Sequence, residues 1–363
     1  MAWLPGWAKR VKLTIDQTDI DANLSNFPIL LYISASSGRL NDNLSFIFTE
    51  IGSDGNRKKI AVTTADGTTQ CYVEIEKWDD VNEQAWLWVK VPSVAADVDT
   101  DLYLYYDSTQ ADNDNYVGDT NSTPAETVWD ANFVAVYHKA DGVDTSHIYD
   151  STNNNQDGTK KAAAEPAVTT SGKIANAQEY DGINDYIALP NLGTFNAFTF
   201  SIWVKLDTLP GADEYDGILG NLGWEAGNLH CNVGPSNSAN SNQIEVAEYP
   251  VPPRVYLTFV PTTGVWYQLT YTRTTSGTAR LYCDAVLKDD DPTNANNLNL
   301  DDWRIGNVYD ATRWLDGCAD ELRISNVERN SAWIRASYES EIDDLLDWGS
   351  EETPPRSFGY IIG

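Results

Sequence analysis

The chain has 363 residues, which is more than one small β-sandwich needs, so its length predicts two domains. Its 13 Trp, 19 Tyr and 42% hydrophobic residues can fill two cores, and its 24 Gly and 15 Pro supply the turns of an all-β fold. The 54 acidic and 24 basic residues give a net charge of −30, which repels phosphate backbones and anionic bilayers and therefore disfavours nucleic-acid and membrane-surface binding.

Residues 1–108 are predicted to form one all-β domain, because short segments of alternating or continuous apolar residues are separated by turn sequences such as Ser53-Asp54-Gly55-Asn56. The predicted strands are Val11–Asp16, Phe27–Ile33, Ser45–Thr49, Cys71–Glu76, Ala85–Val91 and Leu102–Tyr106. The polar stretch 109–128 has no apolar period and is predicted to be a linker.

Residues 129–348 are predicted to form a second β-sandwich, and 349–363 a C-terminal tail. The clearest strand is Phe198–Lys205, where Phe198, Phe200, Ile202 and Val204 share one face at period two. Asn330 is placed to cap a short helix that starts at Ser331 and ends near Tyr338.

Four cysteines are too few for a disulfide-built scaffold in a chain of this length. Cys283 and Cys318 are candidates for one bridge, and buried free thiols are an equally open alternative. The chain starts without a basic and apolar leader, and no apolar run approaches the ~20 residues of a membrane helix, so we expect no membrane insertion.

The second half of the chain resembles a laminin-G-like domain, which is a concanavalin-A-type jelly roll. Six ordered blocks carry this resemblance: Tyr180–Ile187, Phe198–Val204, Trp266 with its strand, Leu281-Tyr282 with Asp284, Trp303–Gly306, and Trp314–Gly317 with Asp320–Ser325. The first half resembles an uncharacterised β domain that often precedes such jelly rolls in secreted and phage-type proteins. The residues behind that second resemblance are Trp7, Arg10, Asn26–Pro28, Trp78, Trp86–Pro92 and Tyr105-Tyr106.

The laminin-G resemblance implies carbohydrate or protein binding, adhesion and often a structural calcium ion. It does not imply a single chemistry, since jelly rolls include lectins, hydrolases and lyases.

Asp181, Asn184 and Asp185 lie on one predicted turn, and Asp316 and Asp320 on another. Carboxylate and amide oxygens suit calcium, so these five residues are the predicted metal ligands. The alternative is that they only close turns by bonding their own backbone.

The predicted ligand-binding residues are Trp224, Tyr309, Arg313 and Trp314, which lie in loops between predicted strands. Their rings offer flat apolar area to a sugar face, while a guanidinium bonds hydroxyl groups. The alternative for Trp314 is a place in the core, as in the family that it resembles.

The sequence contains little that suggests catalysis. Glu74 and Glu76 are the nearest candidates for a hydrolytic carboxylate pair, with two solvated charges on an outward strand face as the alternative. The three histidines lack metal-ligand spacing, and His138 is expected to be packed or hydrogen-bonded within its strand.

We therefore expect a non-enzymatic surface or virion protein that binds carbohydrate, a cell-surface receptor or another protein through its laminin-G-like domain. Homo-oligomers and docking of the C-terminal tail onto other virion or surface proteins are further expectations, in an extracellular or virion-surface setting. A polysaccharide hydrolase or lyase and a purely structural assembly protein are the alternatives.

Overall fold

The computed structural model describes residues 2–142, 144–249, 253–292, 296–310 and 312–355. It contains two compact units, a terminal unit of residues 1–128 with 339–363 and a central unit of residues 129–338. Strands dominate both units, which confirms the predicted all-β class of two sandwiches. None of the described helices combines the length and apolar character that a membrane crossing requires.

The elements up to residue 128 are β1 Arg10–Ile15, β2 Leu24–Ile33, α1 Ser45–Ile51, β3 Ile60–Thr64, β4 Gln70–Cys71, β5 Val73–Asp79, β6 Gln84–Val94, β7 Thr100–Tyr106, β8 Val117–Asp119 and α2 Thr123–Glu126. The elements that follow, as far as β20, are β9 Phe133–Tyr137, β10 His147–Ile148, β11 Gly158–Lys160, β12 Ala167–Thr169, β13 Ala177–Asp181, β14 Ile187–Ala188, β15 Thr194–Phe195, β16 Phe198–Leu206, β17 Asp216–Gly220, β18 Leu229–Val233, β19 Ile244–Glu248 and β20 Arg254–Tyr256. The remaining elements are β21 Trp266–Arg273, β22 Ala279–Cys283, β23 Val286–Asp291, β24 Leu298–Asn299, β25 Arg304–Ile305, β26 Asn307–Val308, β27 Arg313–Trp314, β28 Asp316–Ser325, α3 Ser331–Glu341 and β29 Leu346–Glu352.

The terminal unit is built from a five-stranded sheet in the order β29-β1-β7-β3-β4 and a four-stranded sheet in the order β2-β6-β5-β8. β29 pairs antiparallel with β1, so that Leu346 lies opposite Ile15 and Glu352 opposite Arg10. The Arg10 Nε donates a hydrogen bond of 2.7 Å to the Glu352 carboxylate. β29 therefore completes a sheet whose other strands lie between residues 10 and 106.

The boundaries of the two units differ from those of the predicted domains. Residues 339–348 belong to the terminal unit rather than to the second sandwich, because β29 completes the β1 sheet. The predicted linker, 109–128, also belongs to this unit, since β8 pairs in parallel with β5 and α2 follows it. The predicted tail contributes residues up to Glu352 to β29, and its last eight residues, 356–363, lie outside the described residues.

The prediction of a strand at Ser45–Thr49 is wrong, because this segment forms the start of helix α1. The Asn43 side chain accepts a hydrogen bond of 2.9 Å from the Ser45 amide, and Gly52 ends the helix in the left-handed conformation. Ile47 and Ile51 are buried one helical turn apart. An apolar run this short fits either period, and tertiary packing decides between them.

The central unit is a sandwich of two larger sheets. The β18 sheet has the order β10-β11-β14-β25-β17-β18-β19-β20, and the β28 sheet has the order β12-β13-β28-β16-β21-β22-β23, with β9 also pairing with β28. One apolar cluster lies between them and includes Phe198, Phe200, Ile202 and Val204, which confirms the predicted inward face of that strand.

The Asn330 side chain accepts from the Trp333 amide at the start of α3, which confirms the predicted cap. All four cysteines are buried and free, so Cys283 and Cys318 do not pair.

A buried ion pair connects the two sheets of the central unit. The Arg273 Nε on β21 lies 2.9 Å from the carboxylate of Glu248 on β19, and both side chains are almost completely buried. The Tyr271 hydroxyl also donates to Glu248, and the other Arg273 nitrogens donate to the carbonyl oxygens of Asn196 and Asn296. Each charge therefore depends on its partner, because neither is solvated by bulk water.

We expect Arg273→Met to lower the free energy of unfolding of the central unit by roughly 3–5 kcal/mol, since it leaves the Glu248 charge buried without its counter-ion. Urea denaturation at pH 8 measures this, above the pKa of about 7 to which burial raises Glu248. Arg280→Met is the control, because Arg280 pairs with Glu328 on the surface and its loss costs less than about 1 kcal/mol. Equal losses for the two variants would contradict the role of the buried pair.

Candidate ligand-binding site

The outward face of the β18 sheet is polar where its inward face is apolar. Leu229, Cys231 and Val233 of β18 enter the core, and the alternate residues His230 and Asn232 face the other way. Antiparallel pairing places Glu245 of β19 opposite Asn232, and Arg254 of β20 opposite Ala247. These outward side chains form the floor of the candidate site.

A hairpin made of β26 and β27 covers part of this face. It packs so closely on β17 that a Cβ atom on Gly217 would lie 2.6 Å from the Arg313 carbonyl oxygen and 2.8 Å from the Val308 nitrogen. Asn307 Nδ2 donates to the Arg313 carbonyl oxygen at 2.9 Å, and the Tyr309 amide donates to Asn221 on the neighbouring loop. The hairpin thus holds Tyr309, Arg313 and Trp314 over the sheet.

Two adjoining depressions lie beside the hairpin, and together we call them the groove. The larger has a volume of about 510 Å³, and the smaller about 120 Å³. Tyr215, Tyr309 and Arg313 line both depressions and thus separate them. The larger is completed by Gly182, Asp213, Glu214, Asp216, Thr312 and Trp314, and the smaller by Trp224, His230, Glu245, Ala247 and Arg254.

Aromatic rings and one guanidinium group form the walls of the groove. The Arg313 guanidinium lies 3.9 Å from the ring centre of Tyr215 and 4.6 Å from that of Tyr309. The rings of Trp224 and His230 are 4.5 Å apart, and His230 meets Tyr309 edge-on. Contacts of this kind orient flat surfaces toward the groove.

Burial alters the pKa of His230 and of Asp216 in the groove. Burial lowers the pKa of His230 to about 4, and its Nε2 atom lies 2.8 Å from the Gly223 carbonyl oxygen, so that the ring is neutral and donates this bond. Burial, with Asp316 and Glu214 nearby, raises the pKa of Asp216 to about 7. The Asp216 Oδ2 atom is buried and has no hydrogen-bond partner among the described residues.

Residues 181–335 match a laminin-G family model described as the concanavalin A-like lectin/glucanases superfamily. Residues 56–160 match a domain of unknown function (DUF2341). The chain contains a laminin-G-like domain of the concanavalin A-like superfamily, preceded by this second family. Both predicted resemblances are therefore confirmed.

Several solved structures are similar to the chain at low identity. Domain 4 of AbnA, a GH43 extracellular arabinanase from Geobacillus stearothermophilus in complex with arabinotriose, is 20% identical with a TM-score of 0.46, and the match covers 58% of this chain and 100% of that chain. The receptor binding domain of botulinum neurotoxin D is 15% identical with a TM-score of 0.45, and the match covers 58% of this chain and 53% of that chain. The chain thus spans about half of the toxin structure. No curated protein matches the chain.

The laminin-G-like domain brings the four predicted ligand-binding residues to one groove. Tyr309 and Arg313 separate the depressions, Trp224 lines the smaller and Trp314 the larger. Trp314 is half-buried rather than part of the apolar core, and its ring lies 6.4 Å from that of Tyr186. The sequence interpretation missed Tyr215, His230, Glu245 and Arg254, although their alternation with apolar residues indicated an outward face.

Four of the five predicted calcium ligands lie along one edge of the laminin-G-like domain. Asp181 and Asp316 are paired residues of β13 and β28, and Asp185 accepts from the Asp181 amide. Asp181 Oδ1 accepts from the amides of Ile183 and Asn184, as the turn-closing alternative proposed. The fifth, Asp320, lies within β28, where its carboxylate accepts from the Ile174 and Glu321 amides.

This edge fits a calcium ion in part. The ligand atoms of Asp181, Asp185 and Asp316 do not come together as a group of three within 4.8 Å in the described part of the chain. The Lys161 ammonium also contacts the Asn184 side-chain oxygen and supplies positive charge there. An ion at this edge would need water or carbonyl oxygens in addition to these carboxylates, which is typical of weak calcium sites.

The candidate hydrolytic pair lies on β5 of the terminal unit, where Glu76 is partly exposed. Glu74 is completely buried and accepts a hydrogen bond of 2.7 Å from the Thr120 hydroxyl. Glu76 accepts from the Trp88 indole nitrogen at 2.8 Å. The alternative of two solvated charges is wrong for Glu74. His138 is buried, with Nδ1 2.7 Å from Glu321, so the expected hydrogen-bonded role is confirmed.

We expect Asp216→Asn to stabilise the protein more at pH 8 than at pH 5. A carboxyl group whose folded pKa is raised contributes stability that is complete below its unfolded pKa and is lost as the pH rises through about 7. The substitution removes this loss, and the difference in unfolding free energy between variant and wild type should grow by roughly 1–2 kcal/mol from pH 5 to pH 8. Urea denaturation at both pH values measures it. An equal effect at both would contradict the shifted pKa of Asp216.

Calcium binding stays a prediction, with a separate test. Because few carboxylates meet at the edge, calcium at about 1–10 mM should raise the melting temperature and excess chelator should reverse the rise. Asp181→Asn should abolish the response, while magnesium at the same concentration should have no effect. A melting temperature that is insensitive to both calcium and chelator would contradict the prediction.

Proposed function

We propose that the laminin-G-like domain binds a carbohydrate in the groove and does not catalyse a reaction on it. The observation that carries the proposal is the convergence of Trp224, Tyr309, Arg313 and Trp314 on two adjoining depressions. These residues come from loops and strands separated by up to 90 positions along the chain, and their rings and polar groups face the same space.

The chemistry of the groove suits a sugar chain. Half-buried rings give flat apolar area that can stack on a pyranose or furanose face, while Asp216, Glu245 and the guanidinium groups can bond hydroxyls at the rim. The two depressions adjoin along Tyr215 and Tyr309, so the groove has room for more than one sugar unit. A glycan oligomer fits this shape better than a compact metabolite.

Two features support binding without turnover. The groove histidine, His230, has a pKa lowered by burial to about 4 and uses its Nε2 to donate to a backbone carbonyl, so the ring is a poor base at neutral pH. The carboxylates Glu74 and Glu76 are engaged by Thr120 and Trp88 inside the terminal unit. The domain therefore resembles a binding module in the arrangement of its polar groups.

A polysaccharide hydrolase or lyase is the second candidate, and one observation favours it. Asp216 lines the larger depression with a pKa of about 7, which is suitable for a general acid near neutral pH. Such an enzyme would need a second carboxylate at about 5–9 Å across the bound sugar. Loss of product release in Asp216→Asn would identify this chemistry.

We expect the purified protein to bind one or more glycans of a plant, microbial and animal polysaccharide panel, with no release of products over hours. Trp224→Ala and Tyr309→Ala should each weaken binding about tenfold, since an aromatic contact contributes up to about 1.5 kcal/mol beyond the area that it buries. Isothermal titration measures the affinity, and reducing-end and unsaturated-product assays measure turnover.

Trp266→Ala is the matched control, because Trp266 is a half-buried tryptophan of the same domain on the β28 sheet. Equal weakening in the Trp266 and Trp224 variants would contradict the groove as the binding site. Product release that disappears in Asp216→Asn would replace the proposal with the enzyme. Absence of binding across the panel would favour a structural assembly protein.

The cellular setting follows as part of the same proposal. A glycan-binding domain on an acidic chain suits an extracellular or virion surface, where it would attach its carrier to a receptor. Docking of the C-terminal tail onto partner subunits and self-association are also proposals.

A further inference from the structure

We infer that the smaller depression of the groove selects a sugar residue that carries an anionic group, a carboxylate or a sulfate. The inference rests on the proposed function and narrows its ligand class. It starts from the contacts of two arginines, Arg254 and Arg313, that line this depression.

Among the described residues, Arg313 is held by an amide oxygen and two aromatic rings rather than by a carboxylate. Its Nη1 atom donates a hydrogen bond of 2.8 Å to the Asn232 side-chain oxygen, and its guanidinium stacks on Tyr215 and Tyr309. No acidic oxygen lies within 4.0 Å of this group in the part of the chain that the structure describes. Burial lowers the pKa of Arg313, which indicates that neighbouring groups compensate its charge incompletely.

Among the described residues Arg254 has a loose acidic partner, Glu245; burial opposes the charge of Arg254, but Glu245 contributes to a pKa that is raised overall. Its Nη1 atom lies 3.9 Å from Glu245, and its Nε atom is buried without a hydrogen-bond partner among the described residues. Glu245 is also engaged by Asn232, whose Nδ2 donates to it at 2.9 Å. With His230 neutral, the smaller depression contains two cations and one anion.

The surroundings of Arg254 and Arg313 differ from those of the fully buried arginines. The buried arginines of the described chain each have a carboxylate oxygen within 3.1 Å, as would be expected with 54 acidic residues available. They are Arg10, Arg273, Arg323 and Arg329. The chain has a net charge of −30, yet two arginines of this pocket have no close acidic partner among the described residues. The pocket therefore favours the binding of an anionic ligand.

The rest of the groove defines where that anion lies. Asp213, Glu214 and Asp216 line the larger depression and would repel a carboxylate or sulfate there. Trp224 stands beside the arginines in the smaller depression and offers its ring to the sugar face. The acidic sugar is thus directed to the smaller depression, and neutral sugars of the same chain extend into the larger.

The test uses pairs of ligands that differ only in charge. Oligosaccharides that end in glucuronate, galacturonate or sialate are compared with their carboxyl-reduced neutral counterparts, and neutral oligosaccharides with their sulfated forms, by isothermal titration on the full chain. We expect the anionic member of at least one pair to bind at least about tenfold tighter, since charged hydrogen bonds to arginine are among the strongest in proteins. The carboxylate and sulfate arms show which anion is preferred.

Three variants locate the preference in the smaller depression. Arg254→Gln and Arg313→Gln should each reduce the anionic-to-neutral affinity ratio toward one. Glu245→Gln keeps an acceptor for Asn232 and removes the one anion, so it should raise the anionic-to-neutral affinity ratio several-fold. Arg280→Gln, a surface change in the same domain, should leave the ratio unaltered.

Equal affinity for the charged and neutral members of every pair would overturn the inference and leave the proposed function intact. Absence of binding to both members of every pair would overturn both. A Glu245→Gln variant that lowers the anionic-to-neutral affinity ratio, or an Arg254→Gln variant that retains the full ratio while folded, would also overturn the inference.

Discussion

The close contact between Gly217 of β17 and the β26–β27 hairpin is the constraint on which the groove depends. Any side chain at position 217 would lie within 3 Å of hairpin backbone atoms, so glycine lets the two backbones touch. Because the hairpin is held there, Arg313 stacks between Tyr215 and Tyr309 and separates the two depressions. A hairpin displaced by even an ångström would move the aromatic walls away from the floor of the β18 sheet.

Charge is distributed unevenly around this groove. The fully buried arginines of the described residues have close carboxylate partners, as Arg273 has in Glu248 and Arg10 in Glu352. In the groove, Arg313 is held by an amide and by two rings, and burial raises the pKa of the Asp216 carboxyl group to about 7. Buried ion pairs contribute to a specified fold, whereas unmatched charges in a concave surface are typical of ligand sites.

The sequence predicted the local part of this structure well. Alternation over Phe198–Lys205 predicted both the strand and its inward face, and Asn330 predicted the start of α3, because each signal acts within a few residues. It failed for Ser45–Ile51, where a short apolar run fits a helix and a strand equally. It also failed for β29, whose partner β1 lies more than 300 positions away and leaves no local signal.

For the site, the sequence by itself determined the residue types: aromatic and charged residues at Trp224, Tyr309, Arg313 and Trp314, in a chain whose composition disfavours nucleic acid and membranes. Only the tertiary structure decided that they share one groove, and that Arg254, Tyr215 and Glu245 join them. The same is true of the predicted calcium ligands, where Asp320 is separated from the other four. The physical reason is that pairing between strands distant in sequence sets which side chains meet, and a strand's own pattern specifies only which of its faces is buried.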